Sequence, residues 1–227
     1  MKHPLNQPGH PDPVVIDTGP DPRGAVIWLH GLGADGHDFE PIVPELRLAG
    51  APTIRFVFPH APVRPVTLNG GMAMRAWYDI VQLGGGREDE TGVRQSGEAL
   101  AAMIADPLLN GLGADRVVLA GFSQGGAVAL QAGLRFEQRL AGILALSTYL
   151  PIADHLERDR SEANRDCPIL MIHGTYDQVI PLNRAVASRD RLVGFGYPVQ
   201  WQTYPMAHAV CAEEIELVSG WLRQRLS

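Results

Sequence analysis

The chain has 227 residues, 45% of them hydrophobic and 19% charged, which is enough for one domain with a large core and short for two. With a formal net charge of −6 and 19 Lys plus Arg scattered without a basic tract, it has nothing to neutralise a run of phosphates, so nucleic acid is not expected as a partner. No apolar run approaches the roughly 18 residues of a membrane helix. Residues 1–13, MKHPLNQPGHPDP, hold no apolar signal core and read as a flexible tail before a single domain over 14–227. The expectation is a cytoplasmic protein without stable membrane insertion.

The first apolar run, 14–16, reads as an edge strand. Strand-length runs follow at 25–29, 54–58, 116–120, 142–146, 169–172 and 199–204. Most lack polar alternation, the pattern of strands buried on both faces of a largely parallel sheet. Between them lie helix patterns. Residues 39–48 put Phe39, Ile42, Val43 and Leu46 on one face, with Pro41 and Pro44 restricting that helix to a short or late-starting one. Residues 91–109 carry Val93, Leu100, Met103, Ile104 and Leu108, and Gly111 and Gly113 end the run. A helix is expected over 127–136, another through 186–192 with Pro181 in its first turn, and a last one over 209–226 with Arg223 and Arg225 in its final turn. Strands alternating with helices give a three-layer α/β domain with active loops at the carboxyl ends of the strands.

The stretch Gly121-Phe122-Ser123-Gln124-Gly125-Gly126 joins an apolar strand to a helix. A strand that turns this abruptly holds the turning residue in a strained conformation and pushes its side chain above the sheet edge, which makes Ser123 the candidate nucleophile. A serine hydroxyl is weak at neutral pH and needs an imidazole, itself oriented by a carboxylate. Asp177, in His173-Gly174-Thr175-Tyr176-Asp177, and His208, between the last strand and the last helix, follow in the order Ser, Asp, His. His30 and His173 read as buried supports of strand-end loops, and ligand-type residues lack the short pair spacings of a zinc site. Negative charge on an attacked carbonyl needs fixed donors. The Gln124 amide, at the start of a helix, is one. The glycine loop 30–36 supplies the second, Leu32 first and Gly33 after it. Cys167 and Cys211 read as small buried hydrophobes.

On His30-Gly31-Leu32-Gly33-Ala34-Asp35-Gly36, Trp77-Tyr78-Asp79, residues 121–126, His173-Gly174-x-x-Asp177-x-Val179-x-Pro181 and Met206-x-His208, the chain resembles the carboxylesterase and acyl-protein thioesterase branch of the α/β-hydrolases, the phospholipase/carboxylesterase family. The resemblance runs from about residue 24 to 222. It implies an α/β-hydrolase fold with little or no cap, a triad of Ser123, Asp177 and His208, an oxyanion hole from the Leu32 and Gln124 amides, and no cofactor or metal. It also implies that 62–76, PVRPVTLNGGMAMRA, covers an acyl groove, with Leu68, Met72, Met74 and Trp77 as substrate-binding residues. Asp79 is expected to hold nearby loops by hydrogen bonds. Pro205 departs from the family pattern and is expected to stiffen the His208 loop, and the glycine-rich acidic stretch 83–90 reads as a surface turn or a rim of the site.

The function expected is a serine carboxylesterase acting on short- to medium-chain carboxylic esters, with an acyl-protein thioesterase or lysophospholipase acting on longer chains as the alternative. Rivals are another hydrolase of the same architecture and a noncatalytic binding relative. The partner expected is a small-molecule ester or thioester, and the chain is expected as a monomer or homodimer.

Overall fold

A computed structural model describes residues 11–82 and 88–227. In chain order its elements are β1 (Val14–Asp17), β2 (Gly24–Leu29), α1 (Ile42–Glu45), β3 (Ile54–Phe58), β4 (Val63–Pro65), β5 (Ala73–Arg75), α2 (Glu90–Ile104), β6 (Val117–Phe122), α3 (Gln124–Gly133), β7 (Gly142–Leu146), α4 (Leu156–Asp159), β8 (Ile169–Gly174), α5 (Leu182–Gly194), β9 (Val199–Tyr204) and α6 (Ala212–Leu226). Among the described residues β1, β3, β2, β6, β7, β8 and β9 form one seven-stranded sheet in that order, while β4 and β5 pair as a separate antiparallel hairpin. Every pair in the large sheet is parallel except β1 with β3.

Each central strand feeds two cores, because alternate residues point to opposite faces. Ala25, Ile27 and Leu29 of β2 join Val93, Leu100 and Met103 of α2 and Ala127 and Leu130 of α3. Val26 and Trp28 face the other way, onto Ile42 and Val43 of α1 and Val218, Trp221 and Leu222 of α6. This is the mostly parallel three-layer α/β arrangement expected of an α/β-hydrolase. The chain leaves β2 for β3 on one side and returns as β6 on the other, so the strand order reverses between β2 and β6. In open α/β sheets such a reversal is where ligands bind, outside the carboxyl ends of the strands.

All five expected helices differ in extent: α3 runs 124–133 where 127–136 is expected, α6 begins at Ala212 where 209 is expected, and the other three differ for local reasons. The helix expected over 39–48 is only the four residues of α1: Pro41 takes the position before it, Pro44 offers no N–H, and Leu46 is already extended at ψ 115°. Asp89 caps α2, its carboxylate accepting from the Gly92 amide, and α2 stops at Ile104 before a separate 3₁₀ turn at Pro107–Leu109. Proline at 107 removes the donor a continuing helix would need. Pro181 sits at the N-cap of α5 rather than in its first turn.

Within 62–76, the stretch expected to cover an acyl groove, the chain forms the β4–β5 hairpin, and its turn is built from backbone bonds: Gly71 N–H and Asn69 N–H both donate to Val66 O at 3.0 Å, and Gly70 N–H donates to Thr67 O at 3.0 Å. Cys167 is buried and Cys211 half-buried, and both are free thiols. Of the stretch 83–90, residues 83–87 lie outside the described residues. Glu88 ties its end to the rest, accepting from the Ile152 amide at 2.7 Å and pairing with Arg184 at 3.2 Å. No helix among the described residues is long and apolar enough to cross a membrane.

Candidate active site

Ser123 lies between β6 and α3, at the N-cap of the helix, with φ 55° and ψ −121°, a positive φ for a residue with a Cβ. Such a conformation costs on the order of 1–3 kcal/mol and is kept only where neighbours enforce it. Here the Ser123 amide donates to Leu146 O at 2.9 Å, and its carbonyl accepts from Thr148 Oγ1 at 2.6 Å. Glycine is required at 125, because a Cβ there would overlap the carbonyl oxygens of Leu29 and His30 at the end of β2. The close approach of α3 to β2 is therefore built on absent side chains.

Asp177 follows β8, and its carboxylate has both oxygens assigned. Oδ1 accepts from the amides of Val179 and Ile180, each at 2.9 Å, and Oδ2 lies 2.7 Å from His208 Nδ1. Since an ionised carboxylate only accepts, Nδ1 carries the proton and Nε2 is the basic edge of His208. The acid loop and the histidine loop are tied together: Thr175 N–H donates to Tyr204 O at 2.8 Å and Tyr176 N–H to Met206 O at 3.0 Å. Gly174 permits this contact, because a Cβ there would strike the carbonyls of Met206 and Ala207. The His208 ring lies 4.7 Å from the ring of Phe122, the residue before Ser123. The imidazole thus stands beside the elbow, and the Ser123 hydroxyl has no hydrogen-bond partner among the described residues.

His173 supports this loop from below. Its Nε2 donates to Ile180 O at 2.8 Å, and burial holds its pKa below the ordinary imidazole value, so it is a neutral brace. His30 does the same at the end of β2. Its Nε2 accepts from the Ala61 amide at 3.0 Å, its Nδ1 donates to Gly31 O at 2.7 Å, and burial pulls its pKa down to about 4. His60 accepts from the Gly36 amide at 3.0 Å and so anchors the far end of the glycine loop.

A Cβ at Gly31 would lie 3.5 Å from Ser123 Cβ, so the loop after β2 passes directly beside the serine. Gly33 is withdrawn as a donor, because its amide is spent on Arg75 O at 2.9 Å. Among the described residues the amides of Leu32 and Gln124 take no acceptor.

The residues expected to bind substrate separate into two groups. Leu68 and Met72 lie on the hairpin, 40% and 63% exposed, and Met74 Sδ lies 3.8 Å from where a Gly33 Cβ would be. Trp77 is different: at 2% exposed it is framework under the glycine loop, not an open groove wall. Its ring lies 5.2 Å from that of His30, and its indole N–H donates to His30 O at 2.9 Å. Asp79 holds the hairpin turn by accepting from Thr67 N–H at 2.7 Å and Thr67 Oγ1 at 2.6 Å. Sequence reasoning missed the Gln124 side chain, whose Oε1 accepts from Trp77 N–H at 2.8 Å and whose Nε2 donates to Tyr78 O at 2.7 Å. The signal was available: a long polar side chain directly after the strand and ahead of the apolar, glycine-rich run 125–130 sits where it is buried and calls for partners. Among the described residues no three His, Cys, Asp or Glu side chains converge as a metal site.

Residues 10–226 match the family model described as Phospholipase/Carboxylesterase. The acyl-protein thioesterase 1 of Gibberella zeae is 38% identical over 226 residues, covering 94% of this chain and 95% of that protein. The acyl-protein thioesterase 1 of Neurospora crassa is 37% identical, covering 94% of this chain and 91% of its own length. Among solved structures, SOBER1 of Arabidopsis thaliana superposes with a TM-score of 0.84 at 30% identity over 90% of this chain and 99% of its own. The acyl-protein thioesterase 2 of Zea mays gives 0.83 at 27% identity over 94% and 99%. A buried elbow serine, a carboxylate-bound imidazole and a full-length family match point the same way: the chain belongs to the phospholipase/carboxylesterase family of α/β-hydrolases.

Proposed function

We propose that the protein is a serine hydrolase of acyl thioesters and esters, with S-acylated protein as the substrate class favoured over short soluble esters. The observation that carries the serine chemistry is the His208 Nδ1 contact of 2.7 Å to Asp177, on a ring packed against the residue before a strained serine. The substrate class rests on the names of the fungal relatives, which favour the thioesterase alternative over the carboxylesterase reading. The exposed apolar side chains Val63, Leu68 and Met72 on the hairpin agree with a long acyl chain, because they offer it contact that an acetyl group would not reach.

In this reading His208 Nε2 takes the Ser123 proton as Oγ attacks the carbonyl carbon, and the carbonyl π pair moves to oxygen. The Leu32 and Gln124 amides donate to that oxyanion. Collapse expels the thiolate or alkoxide, which leaves with the proton from His208. Water then enters, gives its proton to His208 and attacks the acyl-enzyme carbonyl; collapse of that intermediate breaks the bond to Ser123 Oγ, which takes the proton back from His208 as the acid leaves. Asp177 stays ionised throughout, fixing the imidazole tautomer and stabilising its charged form.

Ser123→Ala should abolish turnover of both p-nitrophenyl butyrate and a palmitoyl-thioester peptide with the fold intact; retained turnover rejects the serine mechanism. A kcat/KM series over acyl lengths from about two to sixteen carbons, as matched oxygen and sulfur esters, decides the substrate class. A maximum at long thioesters is expected, and a maximum at acetyl or butyryl oxygen esters returns the reading to a short-chain carboxylesterase.

A further inference from the structure

The two amides proposed to hold the oxyanion belong to different segments. Leu32 lies on the loop after β2 and Gln124 on the first turn of α3. The ladder between β2 and β6 fixes the strands only as far as Leu29 opposite Gly121. Past that point each donor is carried three residues out on its own chain, and an oxyanion hole works only if the donors are set beforehand at one spacing.

Trp77 hydrogen-bonds to both segments. The Trp77 amide donates to Gln124 Oε1 at 2.8 Å, and the Trp77 indole N–H donates to His30 O at 2.9 Å, two residues before Leu32. Gln124 returns a second bond from Nε2 to Tyr78 O at 2.7 Å. The Gln124 side chain thus grips residues 77–78, a strap across the two segments, at the Trp77 N–H and the Tyr78 carbonyl and has one way to sit. On its far side the strap is held by α2, where Ser96 Oγ donates to Trp77 O. Trp77 and Gln124 are each 2% exposed, so water competes for none of these bonds.

Resting on the serine-hydrolase reading above, we propose that Trp77 and the Gln124 side chain are positioning residues that set the spacing of the oxyanion donors, so that a buried indole far from solvent governs kcat. Glutamine is needed at 124 for this task. Glutamate would set one carboxylate oxygen, an acceptor, against the Tyr78 carbonyl oxygen, and methionine would satisfy neither the Trp77 amide nor the Tyr78 carbonyl. Phenylalanine at 77 keeps an aromatic ring against His30 and deletes only the bond to the glycine loop.

The test compares Trp77→Phe, Gln124→Met and the double variant with wild type. The measurements are kcat, KM, and the affinity for an acyl trifluoromethyl ketone, which adds to the serine and presents an oxyanion. Because removing one oxyanion donor outright costs about 10²–10³ in kcat, a donor displaced rather than removed should cost about 10–100-fold. KM should stay within about threefold, inhibitor affinity should fall in parallel with kcat, and the double variant should lose little more than the worse single one, since both break one bridge.

Folded variants with kcat within about threefold of wild type overturn the proposal. So does a raised KM with unchanged kcat and inhibitor affinity, which would make Trp77 a substrate wall. If Trp77→Phe fails to fold, Gln124→Met alone decides by the same criteria. Failure of the underlying reading looks different: Ser123→Ala would then retain turnover, and a fluorophosphonate would not label Ser123 in the wild-type protein.

Discussion

The floor of the site and the hairpin above it are built on opposite terms. Ser123, Gln124, Trp77 and Asp177 are all buried, and hydrogen bonds from three or more segments fix them. Val63 and Met72 are each 63% exposed, on a ribbon of two three-residue strands closed by its own turn bonds. An unsatisfied buried polar group costs about 1–3 kcal/mol, so the floor tolerates one arrangement. Exposed apolar side chains pay no such penalty, so the hairpin is free to vary with what it must contact. In the proposed function, reaction chemistry belongs to the first region and acyl preference to the second.

The largest effect expected from breaking the floor is at Asp177. Its Oδ1 receives the Val179 and Ile180 amides, so an asparagine there must keep its oxygen toward them and turn its NH₂ toward His208. Nδ1 would then have to accept, the proton would move to Nε2, and the imidazole could no longer take a proton from Ser123. Asp177→Asn should lower kcat on the order of 10³–10⁴-fold at pH 7 with little change in KM. A loss below about tenfold in a folded variant removes Asp177 from the orienting role.

How much of the floor can be read from sequence depends on whether a residue's task is local. Ser123, Asp177 and His208 each follow a strand, where chain order carries the information, helped at Ser123 by its flanking glycines. His30 and His173 were also legible as loop supports, since a histidine against a strand end and a glycine has few other uses. The role of Trp77 was not. An aromatic residue in a sequence does not tell whether it faces a groove or the core, and only the three-dimensional meeting with His30 and Gln124 decides it. The hairpin escaped for another reason: strands of three residues, one containing Pro65 and the other following Gly70-Gly71, leave no periodicity to detect.

A second contrast lies between His30 in the floor and Glu214, which is fully buried in the first turns of the helix after the His208 loop. His30 is held down to about 4 from 6.5 by burial. Above pH 6.5 folded and unfolded chains are both neutral there. As pH falls from 6.5 toward 4 the unfolded chain takes a proton that the folded one refuses, and stability falls by up to roughly 3 kcal/mol. Burial pushes Glu214 up to about 8 from 4.5, against the pull of the Cys211 amide. There the folded chain keeps a proton that the unfolded one gives up, so stability is full below 4.5 and declines as pH rises toward 8. Between pH 4.5 and 6.5 the two slopes oppose each other, so the melting temperature should be level there and fall on either side. Glu214→Gln should remove the fall above 6.5 and let the rise from pH 4 continue up to 6.5. An alkaline slope identical to wild type would show that Glu214 is already ionised in the folded chain.

The smallest effects belong to the hairpin, and they sharpen the comparison most. Replacing Leu68 or Met72 with serine removes apolar contact worth roughly 0.8 kcal/mol per buried methylene of a bound acyl chain and disturbs no hydrogen bond of its side chain. On a palmitoyl thioester KM should rise about 3–10-fold with kcat nearly constant, while kcat/KM on an acetyl ester stays within about twofold. Unfolding free energy should move by less than about 0.5 kcal/mol, as at other exposed positions. Equal losses on the two substrates would mean that the hairpin reaches the chemistry itself. The path for that is visible, since Gly33 N–H donates to Arg75 O at 2.9 Å and Met74 packs beside Gly33. Met74, at this junction, is therefore the hairpin position where a substitution should change kcat as well as KM, and where specificity and catalysis cannot be tuned separately.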